Sequence, residues 1–159
     1  MEMHRPDVPF IDRTKIQAEV LVPLIKTMEA ELGKERAHGL VRQALSEHYR
    51  KMAEDMVVEQ GGALGALALF GQMSTAGEAV DVEYREMSES VINFDIVGCR
   101  YAQFFKEMGE PELGFLLVCS SDDHMAVGMP GLEFNRSQTI MQGADHCDFR
   151  YRLLETPQD

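Results

Sequence analysis

A chain of 159 residues, 45% hydrophobic and 26% charged, is long enough to bury about two-thirds of its unfolded surface around one core, and no run approaches the roughly 18 apolar residues of a membrane span. Its formal net charge of -12, from 15 Lys and Arg against 27 Asp and Glu, repels phosphate backbones and anionic lipid, which argues against nucleic acid and membrane as partners. Three cysteines cannot form a fully paired disulfide framework, and Met1 to Ile11 lacks the basic-then-apolar order of a secretory signal, so the expectation is one cytoplasmic domain over 1–159 whose thiols are free, metal-bound or catalytic.

Residues 1–12, with Pro6 and Pro9, read as an extended arm. From Thr14 the spacing of Ile16, Val20, Leu24 and Met28 predicts an amphipathic helix ending near Gly33, with Pro23 a place for a kink or a break. A second helix is predicted from about Lys34 to Glu59, antiparallel to the first, and a short apolar one over Ala63–Met73, after Gly61-Gly62. Val80, Val82 and Tyr84, and then Ile92, Phe94 and Ile96, alternate with polar residues, which predicts two strands joined as a hairpin through Ser88-Glu89-Ser90. Helical spacing returns over Cys99–Met108 and again over Glu112–Ser120, entered after Pro111.

Two further strands are predicted over Gly131–Met141 and His146–Leu154, before a polar tail from Glu155. In the last one Cys147, Phe149, Tyr151 and Leu153 share a face and His146, Asp148, Arg150 and Arg152 take the other, so Cys147 belongs to the inward side. The fold expected from this order is α+β, with N-terminal helices packed on an antiparallel sheet of about four strands near 79–86, 90–97, 131–141 and 146–154.

All three cysteines fall between residues 99 and 151, the stretch richest in reactive side chains. A thiol is the most nucleophilic side chain at neutral pH, and each of these has a carboxylate, hydroxyl or cation within a few positions. Cys119 closes the Glu112–Ser120 helix and is followed at once by Ser120, Ser121, Asp122 and Asp123. Two carboxylates there form either a solvated turn or a site that moves a proton or holds a cationic substrate. A zinc site built from the cysteines with His124 and His146 is a further reading. Against it, nineteen residues separate Cys99 from Cys119 and twenty-seven separate Cys119 from Cys147, where structural zinc ligands come in pairs about two to four residues apart.

Arg136 shares strand parity with Leu132 and Phe134, which puts it on the buried side, where a guanidinium must find an anion. That anion is either an internal acid such as Glu86 or Asp95, or the carboxylate of a substrate held by two parallel hydrogen bonds.

The ordered set Gly98-Cys99-x-Tyr101, Cys119-x-x-Asp122, Phe134-x-Arg136 and Gly143-x-x-x-Cys147-Asp148-Phe149-x-Tyr151, behind a helix pair, resembles the L-2-amino-thiazoline-4-carboxylic acid hydrolase family from about Ile16 to Tyr151. The Cys…Gly-x-x-x-Cys-x-Phe ending alone is also similar to the vinyl-reductase-like small-molecule sensor domains. The first resemblance implies hydrolytic opening of a small carboxylated cyclic amidine to a carbamoyl amino acid; separately, a homo-oligomer is the default expectation and no cofactor other than the zinc weighed above is expected. The chemistry asks for a nucleophile or activated water, an acid near the amidinium and a cation for the carboxylate. Cys147, Cys119, Asp122 and Asp123 are the candidate catalytic residues; Arg136, Cys99, Tyr101 and Phe149 are the candidate substrate-binding residues. The alternatives are a sensor that binds without turnover and a cysteine-ligated metal protein.

Overall fold

The structure is a computed structural model that describes residues 8–154. It is α+β, with helices α1 (Phe10–Leu32), α2 (Lys34–Gln60) and α3 (Ala63–Thr75) followed by strands β1 (Val80–Met87) and β2 (Val91–Cys99). Then come α4 (Arg100–Glu107), α5 (Pro111–Gly114), a π-helical turn at Phe115–Cys119, α6 (Ser120–Val127), β3 (Leu132–Asn135), a 3-10 turn at Ile140–Gln142, and β4 (Cys147–Leu153). The four strands form one antiparallel sheet in the order β1-β2-β4-β3. No helix among the described residues is long and apolar enough to cross a membrane.

Several boundaries differ from the sequence expectation. Helix α1 begins at Phe10, inside the expected arm, of which residues 1–7 lie, like the polar tail, outside the described residues. The helix also runs through Pro23 without a break. Pro23 is exposed, so solvent can serve the carbonyl left without its helical donor, and Thr27 Oγ1 donates to the Pro23 carbonyl at 3.0 Å. Helix α2 follows after Gly33 alone, whose φ of 81° suits glycine.

The third expected strand, 131–141, shrinks to four residues. Beyond Asn135 the backbone donors turn to a side chain: Asp148 accepts from Ser137 N and Gln138 N, both at 2.9 Å, and from Ser137 Oγ at 2.5 Å. The expected turn at Ser120–Asp123 is helix instead, because the π turn carries the chain from α5 into α6.

Sheet register explains how two carboxylates are neutralised. Asp95 on β2 pairs directly with Asp148 on β4, and facing like charges destabilise a sheet. Each is neutralised separately. Asp95 accepts from Arg85 Nε at 2.6 Å and Arg150 Nη2 at 2.9 Å, while Asp148 takes the loop donors just described.

Two apolar clusters fill the interior. One joins α2, α3 and α6 to the inner face of the sheet through Ala53, Phe70, Met125 and Phe149, and the other joins α1, α4, α5 and the π turn through Ile25, Phe105, Leu113 and Leu116. Gly114 permits the second to close, since a Cβ there would sit 2.6 Å from both Met141 Sδ and Phe105 Cγ.

Candidate functional site

A cavity of about 550 Å³ lies where the two clusters meet. The sheet supplies its floor: Ile96 pairs with Cys147, Phe94 with Phe149 and Ile92 with Tyr151, and all six residues line it. Alternation along β4 therefore delivers Cys147, as the sequence parity predicts.

The π turn supplies the polar wall. Ser120 N–H reaches back five residues to the Phe115 carbonyl, and this widened turn lets every residue from Leu117 to Asp122 except Ser120 line the cavity. Ser120 Oγ donates to the Leu116 carbonyl at 2.5 Å and Ser121 Oγ to the Val118 carbonyl at 2.6 Å, which serves carbonyls of the disturbed ladder. The Cys119 carbonyl accepts from Arg136 Nη2 at 3.1 Å.

Arg136 enters from the loop after β3, with its side chain only 5% exposed. Its Nη1 donates to Asp122 Oδ2 at 2.7 Å and its Nη2 to Asp123 Oδ2 at 3.1 Å. The guanidinium also lies over the rings of Phe149, Phe134 and Phe115, at 5.3, 5.5 and 5.9 Å. So the internal acids that meet Arg136 are Asp122 and Asp123, not Glu86 or Asp95.

The two carboxylates differ in setting. Asp123 is 56% exposed and does not line the cavity, whereas Asp122 is 18% exposed and does. Burial pushes the Asp122 carboxyl up to about 6, against the pull of Arg136 toward the ionised form. A carboxyl titrating there is poised to exchange a proton near neutral pH.

Cys99, Cys119 and Cys147 all line this cavity. Burial raises the pKa of each, most strongly Cys119, where the Asp122 charge adds to the effect. Cys99 Sγ accepts from Ala102 N at 3.4 Å, as the N-cap of α4, and Cys147 Sγ accepts from Ile140 N at 3.2 Å. Thiols held above their ordinary pKa are the reverse of activated nucleophiles. No group of three or more His, Cys, Asp and Glu side chains among the described residues is arranged to hold a metal.

Tyr101 and Phe149 line the cavity as well. Tyr101 donates its hydroxyl to the Ser74 carbonyl at 2.9 Å, which ties α4 to α3, and Phe149 stacks on Phe94 with centroids 4.9 Å apart. His124 and His146 lie outside the lining. His146 instead meets Asp145 at 2.5 Å and Gln138 at 3.2 Å.

The sequence reading missed the lining contributed by the first three helices, which includes Phe10, Thr14, Tyr49, Leu67 and Phe70. Helical periodicity marks such residues as core but carries no sign that the core is hollow there. It also missed Asp148, whose bonds to Ser137 and Gln138 fix the segment next to Arg136. An acid on the outward face of a strand gives no such signal.

The family model for L-2-amino-thiazoline-4-carboxylic acid hydrolase matches residues 13–151. Among solved structures, the crystal structure of the phenol-responsive sensory domain of the transcription activator PoxR with phenol shares the fold. Its TM-score is 0.53 at 16% identity, over 84% of this chain and 72% of that one. No curated protein matches the chain.

Proposed function

The chain belongs to the L-2-amino-thiazoline-4-carboxylic acid hydrolase family, and from that premise we propose that it hydrolyses a small carboxylated cyclic amidine to a carbamoyl amino acid. The observation that carries the reading is the Asp122 carboxyl, set into the cavity wall with a pKa of about 6 and held by Arg136. Asp122 acts as general base on a water that adds to the ring carbon between sulfur and nitrogen. The proton it takes goes to the departing sulfur or nitrogen as the ring opens, and the water oxygen becomes the carbamoyl oxygen. A protonated thiol is a weaker candidate for the attack, because burial holds Cys119 and Cys147 above their ordinary pKa.

Arg136 has a positioning role toward Asp122 in this scheme. Its Nη groups already serve Asp122, Asp123 and the Cys119 carbonyl, which leaves it little to offer a substrate carboxylate. Cys99, Tyr101 and Phe149 shape the walls around the ring. The exposed stripe of Ile16, Val20 and Leu24 on α1 supports a homo-oligomer, which sedimentation over a range of protein concentrations checks.

A second reading, a small-molecule sensor without turnover, is favoured by the mainly apolar lining and by a fold shared with a phenol-responsive sensory domain. Incubating the purified protein with 2-aminothiazoline-4-carboxylate and following loss of the ring absorbance separates the two. Saturable binding with no loss of absorbance would reject the hydrolase.

A further inference from the structure

Asp122, Arg136 and the three thiols are gathered at one end of the cavity, while Ser88 and Glu89 line it at the β1–β2 turn. Arg136 lies over Phe149 and donates to Asp122, and the three thiols lie close enough to this pair and to each other to perturb each other's ionisation. The other end lies under the β1–β2 hairpin. Tyr84 pairs with Phe94 and Phe94 with Phe149, which puts Tyr84 two strand spacings, about 10 Å, from the ring beneath Arg136. Met87 pairs with Ile92 at the hairpin tip. Across from them α3 contributes Leu64 and Leu67.

This far end is also the mouth. Met87 and Tyr84 are each 65% exposed and Leu64 is 37% exposed, yet all three line the cavity. An exposed apolar cluster at the entrance of a pocket is surface that a bound apolar group removes from water. The volume of about 550 Å³ falls in the range that holds drug-sized ligands, far more than one small ring with its amino and carboxylate groups fills.

We infer that the ligand is amphipathic: its charged ring head meets Asp122 and Arg136, and an apolar substituent, aromatic or branched aliphatic, extends to the mouth formed by Leu64, Tyr84 and Met87. This rests on the reading of the polar end as the seat of a cyclic amidine, and it adds the part of the substrate that the family's name does not describe. Aromatic floor residues Phe94 and Phe149, already stacked on one another, offer the substituent ring faces and edges.

Calorimetric titration of the full chain tests this with three compounds: 2-aminothiazoline-4-carboxylate, its analogue with a phenyl group on the ring carbon beside sulfur, and its analogue with a benzyl group on the exocyclic nitrogen. At least one substituted compound is expected to bind tenfold or more tighter than the parent. Leu64→Glu and Met87→Glu, both at exposed positions that leave the core intact, are expected to weaken that compound at least fivefold and the parent less than twofold. Equal affinity for all three compounds, or rim variants that weaken parent and analogue alike, would overturn the inference. The outcome is separable from the hydrolase reading. Turnover of the parent with no preference for a substituted compound rejects the apolar extension alone, and a preference in binding with no turnover of any compound rejects the hydrolase alone.

Discussion

Arg136 donates to Asp122 at 2.7 Å, yet the Asp122 carboxyl titrates at about 6 rather than below the usual carboxylate range. Burial at the cavity wall outweighs the ion pair, which suits the general-base role proposed for Asp122. For a general base the ionised form is the active one. The kcat/KM of the ring-opening reaction is therefore expected to rise with pH through about 6 and to level above it. Asp122→Asn should lower kcat by roughly 100-fold or more and abolish that limb. A variant that keeps the limb would move the base elsewhere.

The thiols give a different expectation. With burial holding Cys99, Cys119 and Cys147 above their ordinary pKa, the thiolate fraction at pH 7 is small, and attack by water does not require it. Cys119→Ser and Cys147→Ser are each expected to keep turnover within about tenfold of the parent protein, and alkylation by iodoacetamide should be slow at pH 7 and accelerate as the medium is made alkaline. Complete loss of turnover in a well-folded Cys147→Ser protein would restore a thiol to the chemistry. Cys99→Ser should act on stability instead, since that sulfur caps α4 through Ala102.

On the outer face of the sheet, Asp95 tests the charge arrangement that the strand register imposes. Its carboxyl lies below the ordinary carboxylate range, chiefly through the Arg85 hydrogen bond, with Arg150 adding to it and burial opposing. A depressed folded-state pKa adds stability that is present above the unfolded value, about 3.9, and is lost as pH falls through the folded value. Asp95→Asn is expected to lower unfolding free energy at neutral pH by about 2 kcal/mol, the scale of a charged hydrogen bond. The gap between the two proteins should close in acid below about pH 4. Denaturant melts over that range check it, and a gap that widened in acid would contradict the assignment.

The elements legible in the sequence are those with long, clean periodicity. The helices of the N-terminal half, the 88–90 hairpin and the inward parity of Cys147, Phe149 and Tyr151 all follow from spacings of 3.6 and 2. Spacing fails where a side chain or an inserted residue changes the ladder. Nothing in Phe115–Cys119 announces a π turn, so Asp122 and Asp123 read as the loop after a helix when they lie within one. Likewise Leu132–Arg136 carries strand parity, but Asp148 captures the next backbone donors and ends pairing at Asn135. The parity that placed Arg136 inward holds, and its partners, brought in from α6, are a tertiary fact outside the reach of any local pattern.

Arg136→Lys separates two roles for the guanidinium. Lysine keeps the charge but has no planar fork, and cannot serve Asp122, Asp123 and the Cys119 carbonyl together as Arg136 does. If Arg136 acts by holding Asp122, weakening that bond removes a contribution that favours the carboxylate, so the Asp122 pKa rises further above about 6. Turnover at pH 7 should then drop, the rising limb should shift to higher pH, and activity should recover in mildly alkaline buffer. A neutral analogue without the carboxylate should suffer the same loss as the acid. If Arg136 clamps the substrate, the acid alone should lose affinity, by roughly 1.5–3 kcal/mol for a charge-assisted hydrogen bond, and raising the pH should restore nothing. The three acceptors already on its Nη groups favour the first outcome. A carboxylate-selective loss with an unshifted pH profile would reject it.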